Sequence, residues 1–187
     1  MGEKDLLKPV VERKLGGSVW FGRVGIKPGK PTTFMTIPSS PSAGDARDTP
    51  VDGDDSVGDA KTKLVFALPG NPASALVTFQ VLVRPCLDVW SGVPAESAGP
   101  RRVRARMLES VRRDPARVEY VRVAVGWKDD ERGEAGCLWA RTTGGQRSSR
   151  VGSMAGGNGL VVVQPGMEDI AVGASVACLL LSQIGTV

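Results

Sequence analysis

The 187-residue chain has no histidine, one tyrosine and few aromatic residues of any kind, 5% in total. The missing histidine excludes Ser-His-Asp triads and the usual zinc sites, so any acid–base or metal chemistry must fall to Asp, Glu, Lys, Ser or Cys. The three cysteines, Cys86, Cys137 and Cys178, are odd in number and far apart. They form no C-x-x-C pair and no disulfide framework, which favours a reducing compartment and cysteines used as small apolar core residues. No apolar run is read as reaching the roughly 18 residues of a membrane span. The N-terminal MGEKDLLKPV carries charge where a signal peptide needs an apolar stretch, and it lacks the hydroxyl residue of a myristoylation site. The expected setting is therefore cytoplasmic, with no membrane partner. The net charge of +4 invites anionic partners without demanding nucleic acid.

The composition that remains, 41% hydrophobic and 24% charged, is that of a folded globular protein. Leu7, Val10, Val11 and Leu15 share a helical face, with the regular part beginning near Lys8 because of Pro9 and ending at Gly16-Gly17. Ser18 to Ile26, Thr32 to Ile37 and Lys63 to Leu68 read as strands. Between the last two, residues 39–62 hold six aspartates, two prolines and no aromatic, too little apolar surface to offset ordering, and are expected to form a disordered acidic insertion. Pro72 to Trp90 is apolar nearly all round and predicts a buried helix, with Asn71 as N-cap and a kink or division at Pro85. After a linker at 91–100 the period changes to two. Arg101–Met107, Val118–Trp127, Cys137–Thr142, Leu160–Val163 and Ser175–Leu181 predict a small all-β domain.

Three segments could carry chemistry. Leu68-Pro69-Gly70-Asn71-Pro72 joins a strand to a helix, where free N–H groups and the positive end of the helix dipole favour an anion. An ordinary capped turn accounts for it equally well. Lys27-Pro28-Gly29-Lys30 places two ammonium groups around a turn, whose mutual repulsion a bound oxyanion would relieve. In isolation a solvated turn is the favoured reading, and Pro31 and Val24 exclude a Walker A loop. Thr142 to Arg150 (TTGGQRSSR) offers hydroxyl and guanidinium donors suited to an oxyanion, or is a plain hairpin loop. The basic run RRVRARMLESVRR has no interleaved aromatics and no helix-turn-helix pattern, which gives nucleic acid little support as a partner.

Taken together and in order, MGEKD, FGRVGIKPGKPTTF, LVFALPGNPASALVTF, TTGGQRSSR and SMAGGNGLVVVQP resemble the gephyrin/MoeA family of molybdenum insertases. The resemblance implies an incomplete molybdopterin-binding three-layer α/β domain over residues 1–92, followed by a small barrel-like all-β domain over 100–187. It implies a molybdopterin molybdotransferase: molybdate is inserted into adenylylated molybdopterin, a nucleotide-linked substrate, with release of AMP and with magnesium assisting. By motif, Lys27 and Lys30 resemble the molybdate-binding lysines and Ser148 the serine of the S-S-R loop. Arg117 resembles the arginine of an R-P-E-Y segment, with Val118 in place of its proline. Asp5 resembles a carboxylate important for activity near the metal or the pyrophosphate. Pro69, Gly70, Asn71 and Pro72 would shape the floor of the site, and Arg23 lies where some members carry a basic residue.

The family's glycine- and threonine-rich pterin loop and its dimer-forming domains have no counterpart here. The expectation is a C-terminal portion of an insertase, a fragment or isoform with exposed sheet edges and weak or no activity alone, the full-length protein being a homodimer. The receptor-anchoring role of the gephyrin branch gets little support, because Gln164 to Ile170 lacks the expected tyrosine. The competing reading is a non-catalytic interaction or scaffold module that keeps the fold. A third, generic phosphate binding, would show no preference for molybdate over sulfate.

Overall fold

The computed structural model describes residues 6–39, 62–128, 136–150 and 152–186. Asp5 lies outside them, as does the acidic insertion apart from its flanking residues. The chain packs as two compact units, Met1–Arg23 with Thr33–Ala67, and Val24–Thr32 with Leu68–Val187.

The first unit holds α1 (Leu7–Lys14) and a three-stranded antiparallel sheet of β1 (Ser18–Gly22), β3 (Thr33–Pro38) and β4 (Thr62–Ala67), in the order β1-β3-β4. The helix starts one residue earlier than expected and ends before Gly16, which takes the left-handed φ of 61° that terminates a helix. Val11 is the buried residue of the helix. Phe21, Phe34 and Phe66 stack across the three strands, with centroids 5.5 and 4.7 Å apart, and fix the register.

The second unit is built on β5 (Arg101–Met107), β6 (Val118–Lys128), β7 (Cys137–Thr142), β8 (Gly159–Val163) and β9 (Ser175–Leu180). The pairings β6–β7, β7–β5, β5–β9, β9–β8 and β8–β6 close into a five-stranded barrel. These are the five strands expected from alternation. Ala105, Met107, Val121, Val123, Val125, Ala140, Val161, Val163, Val176 and Cys178 point inward and form the core. Cys178 is buried and its thiol is pushed up to about 12 by desolvation. Cys86 and Cys137 are only half-buried, contrary to the expectation of three core cysteines. Short β2 (Ile26–Lys27) runs parallel to the start of β6, and β10 (Gly185–Thr186) parallel to its end.

The helical stretch from Pro72 to Trp90 comprises α2 (Pro72–Thr78), a π-helical turn (Phe79–Val83) and α3 (Arg84–Trp90). The division expected at Pro85 takes this form: Arg84 N–H bonds to Phe79 O, five residues back, which widens the helix just before a proline that supplies no donor. Burial corrects a second expectation. Val77 packs with Leu160 and Leu179 of the barrel wall, so the stretch groups with the barrel in compactness. Yet Leu76, Phe79, Leu87, Val89 and Trp90 are exposed, and burial is confined to Ala73, Ser74, Val77 and Thr78 of α2. It is also 19 residues long, and by length and composition it reaches what a membrane span requires. Its polar stripe argues for water: Gln80, Arg84 and Asp88 are linked, and Asp88 accepts the Gly99 amide at 2.8 Å.

Candidate functional site

The segments nominated from sequence that lie in the second unit meet around β2, the start of β6 and the start of α2. The parallel register places Lys27 opposite Glu119. Lys27 Nζ donates to Glu119 Oε2 at 3.2 Å and lies 3.8 Å from Asp114 Oδ2. Arg117 reaches the same Asp114 oxygen from the other side, its Nη2 donating at 2.7 Å. Asp114 Oδ1 accepts the amides of Ala116 and Arg117, both at 3.0 Å. The Arg117 guanidinium, the Ala116 amide and further bonding from Arg117 hold the Asp114 carboxyl down at about 2. Two cations and two carboxylates thus form one neutral cluster. Contrary to the expected unrelieved repulsion between Lys27 and Lys30, the charge of Lys27 is already compensated.

Lys27, Asp114 and Glu119 open into a cleft of about 470 Å³ that is also lined by Arg112, Thr142 and Gln146. The Lys27-Pro28-Gly29-Lys30 turn has a cis Lys27–Pro28 peptide, and its Pro28 and Gly29 are buried while Lys30 is exposed. Thr32 ties the turn by donating to Gly29 O through its amide (3.0 Å) and hydroxyl (2.8 Å). Gly29 has φ 127°, and a Cβ there would stand 2.4 Å from Thr78 Cγ2 of α2. Only glycine lets the turn lie this close to the helix.

One end of that helix carries the other nominated residues. Asn71 occupies the N-cap position, but its side chain makes no cap bond. Asn71 Nδ2 donates instead to Ser148 Oγ at 3.1 Å, and the Ala73 amide donates to Ser148 O at 3.2 Å. Pro69 is buried, while Gly70, Asn71 and Pro72 are exposed. Thr78, where the Gly29 turn rests, lies roughly 9 Å along the axis from Pro72 at about 1.5 Å per residue. The structure therefore joins Lys27 with Arg117, and Asn71 with Ser148, and relates the two pairs through α2 and the loop carrying Gln146. Arg23 belongs to the first unit, where it is exposed with a left-handed φ of 57°.

Sequence reasoning missed Asp114, Glu119 and Arg122. Glu119 had a signal: it shares the inward face of β6 with Val121, Val123 and Val125, where a lone carboxylate needs a partner. Asp114, in irregular chain, had none. For the implied magnesium the described residues do not fit. Among them no group of three or more Asp, Glu, Cys or His side chains could hold a metal ion. The oxygens of Asp114 are taken by Arg117 and backbone amides.

Two family models match the chain: a probable molybdopterin binding domain over residues 1–89, and a MoeA C-terminal region (domain IV) over residues 104–181. Gephyrin from Dictyostelium discoideum is 35% identical over 98% of the chain, which spans 24% of that protein. Molybdopterin molybdenumtransferase from Bacillus subtilis is 26% identical over 98% of the chain, which spans 35% of it. Among solved structures, a molybdopterin biosynthesis MoeA protein from Pyrococcus horikosii superposes with a TM-score of 0.63 and 25% identity, over 96% of this chain and 35% of that one. The chain thus spans between a quarter and about a third of the length of these relatives.

Proposed function

The chain belongs to the gephyrin/MoeA family, and from that premise we propose that it supplies the molybdate-binding part of a molybdenum insertase site. The observation that carries this reading is the convergence of Lys27 and Arg117 on one carboxylate at the edge of a polar cleft. In this proposal molybdate, a tetrahedral dianion, takes the donors of Lys27 and Arg117 that Asp114 and Glu119 leave open, with Lys30 at the outer end of the turn and the Ser148 hydroxyl completing the set. The site needs no histidine base, because the two pterin sulfurs act as nucleophiles on molybdenum. The protein's contribution is positioning and charge neutralisation, with the Pro69–Pro72 turn orienting Ser148 through Asn71.

The whole reaction in this proposal is transfer of molybdate into adenylylated molybdopterin with release of AMP, in the cytoplasm. On family resemblance alone, Asp5 would be the carboxylate toward magnesium.

Calorimetry with molybdate, sulfate and adenylylated molybdopterin tests the proposal. Lys27→Ala and Ser148→Ala should each weaken molybdate by about tenfold or more, the value of one charge-assisted hydrogen bond at roughly 1.5–3 kcal/mol. Sulfate should bind more weakly than molybdate. No binding of either substrate, or no effect of the two substitutions, would leave a non-catalytic module as the better reading.

A further inference from the structure

We propose that Arg122 is a positioning residue of this oxyanion site, setting the 143–150 loop and with it the Ser148 hydroxyl from inside the protein. The inference deepens the molybdate reading above and rests on it. Arg122 lies on β6 at 1% exposure and heads the fully buried side chains by size. A buried guanidinium ordinarily has a carboxylate against it, but among the described residues no ion pair includes Arg122.

Its donors turn instead to the 143–150 loop and to Ser153, on the short helix Gly152–Ala155 that follows it. Nε donates to Ser153 Oγ at 2.8 Å, and Nη2 to the carbonyls of Gly145 and Arg147, both at 3.3 Å. The Ser153 hydroxyl passes its own proton to Arg150 O at 2.6 Å. The Arg122 backbone grips the same loop: its amide donates to Gln146 Oε1 (2.9 Å), and its carbonyl accepts from the Thr143 amide (3.1 Å) and Gln146 Nε2 (3.2 Å). Ser148 follows Arg147 directly, and its carbonyl and hydroxyl accept from Ala73 and Asn71 at the helix start. The loop is thus held from beneath by Arg122 and in front by α2.

A neutral amide or hydroxyl could hold those carbonyls at a lower desolvation cost. The guanidinium adds something they lack, a fixed positive charge beneath a loop that is to receive a dianion. Desolvation draws the pKa of Arg122 down, with Glu119 opposing it, and its Nη1 is buried without a hydrogen-bond partner. The fold therefore maintains a charge that its own packing disfavours, at a residue that ties down the Ser148 loop.

The test compares the full chain with Arg122→Lys and Ser153→Ala by hydrogen exchange and by calorimetry with molybdate and adenylylated molybdopterin. In Arg122→Lys, amides of 143–150 should exchange about tenfold faster and molybdate bind about tenfold more weakly, as loss of the fork's charged hydrogen bonds implies. Adenylylated molybdopterin affinity and the protection of Val121 and Val123 should stay within about twofold, which a general loss of structure would not allow. Ser153→Ala, which keeps the guanidinium and its bonds to the Gly145 and Arg147 carbonyls, should move loop exchange and molybdate affinity the same way by less, and it decides the matter if the lysine variant does not fold. Unchanged loop exchange overturns the proposal, and so does a faster loop with unchanged molybdate affinity. If the wild-type chain binds no molybdate, the functional reading fails separately, and loop exchange alone decides whether Arg122 sets the loop.

Discussion

Asp114 is the residue on which the cations of the candidate site depend. It receives Arg117 and two backbone amides, and it stands 3.8 Å from Lys27. Folding lowers its pKa from the ordinary 3.8 to about 2, first through the Arg117 hydrogen bond and then through the Ala116 amide. The unfolded chain binds this proton more readily, so the stabilisation from Asp114 is complete above about pH 4 and is lost as the pH falls towards 2. In Asp114→Asn that part of the acid dependence should flatten. Urea midpoints measured from pH 2 to 5 check this, and an unchanged acid slope in the variant would show that Asp114 does not hold its proton so loosely in the folded protein.

At the level of elements, the turn that carries Lys27 and Lys30 is set by its packing on α2. Gly29→Ala brings a Cβ to 2.4 Å from Thr78 Cγ2 and 3.2 Å from Ile26 Cδ1, at a φ of 127° that side chains rarely adopt. The change should destabilise the second unit by about 1–3 kcal/mol and weaken molybdate binding with it. Thr78→Ser removes the clashing methyl, so the double variant should recover part of the loss, the backbone strain remaining; denaturant midpoints over the four-member cycle measure the coupling. This packing was not legible in the sequence, where KPGK in isolation read sooner as a solvated turn. The barrel strands were legible because alternation is a local property: Val103, Ala105 and Met107 turn inward while Arg102, Arg104 and Arg106 stay outside. What alternation could not show was which partner a polar residue finds. Glu119 and Arg122 are both buried on β6, one resolved by Lys27 across a two-residue strand and the other by a loop that starts some twenty residues on. The helix at 72–90 was legible in extent but not in burial, since an apolar surface in sequence does not say what covers it.

Across the whole molecule the two units differ in how completely each closes its own backbone. The barrel strands pair on both sides around a full ring, and their inward residues fall largely below 2% exposure. Among the described residues the first unit has β1 and β4 as edges of a three-stranded sheet, Val11 and Met35 as its buried apolar residues, and Leu6 and Trp20 at 68% and 67% exposure. Edge strands leave a row of donors and acceptors to water, and few buried apolar contacts mean a low free energy of local opening. Amides of β1, β3 and β4 should therefore exchange well before those of β6 and β8. A difference of about 3 kcal/mol in opening free energy would appear as roughly a hundredfold in rate. Hydrogen exchange on the full chain measures this directly. Equal protection of β3 and β6 would overturn the reading that open edges and a small core set the opening of this sheet.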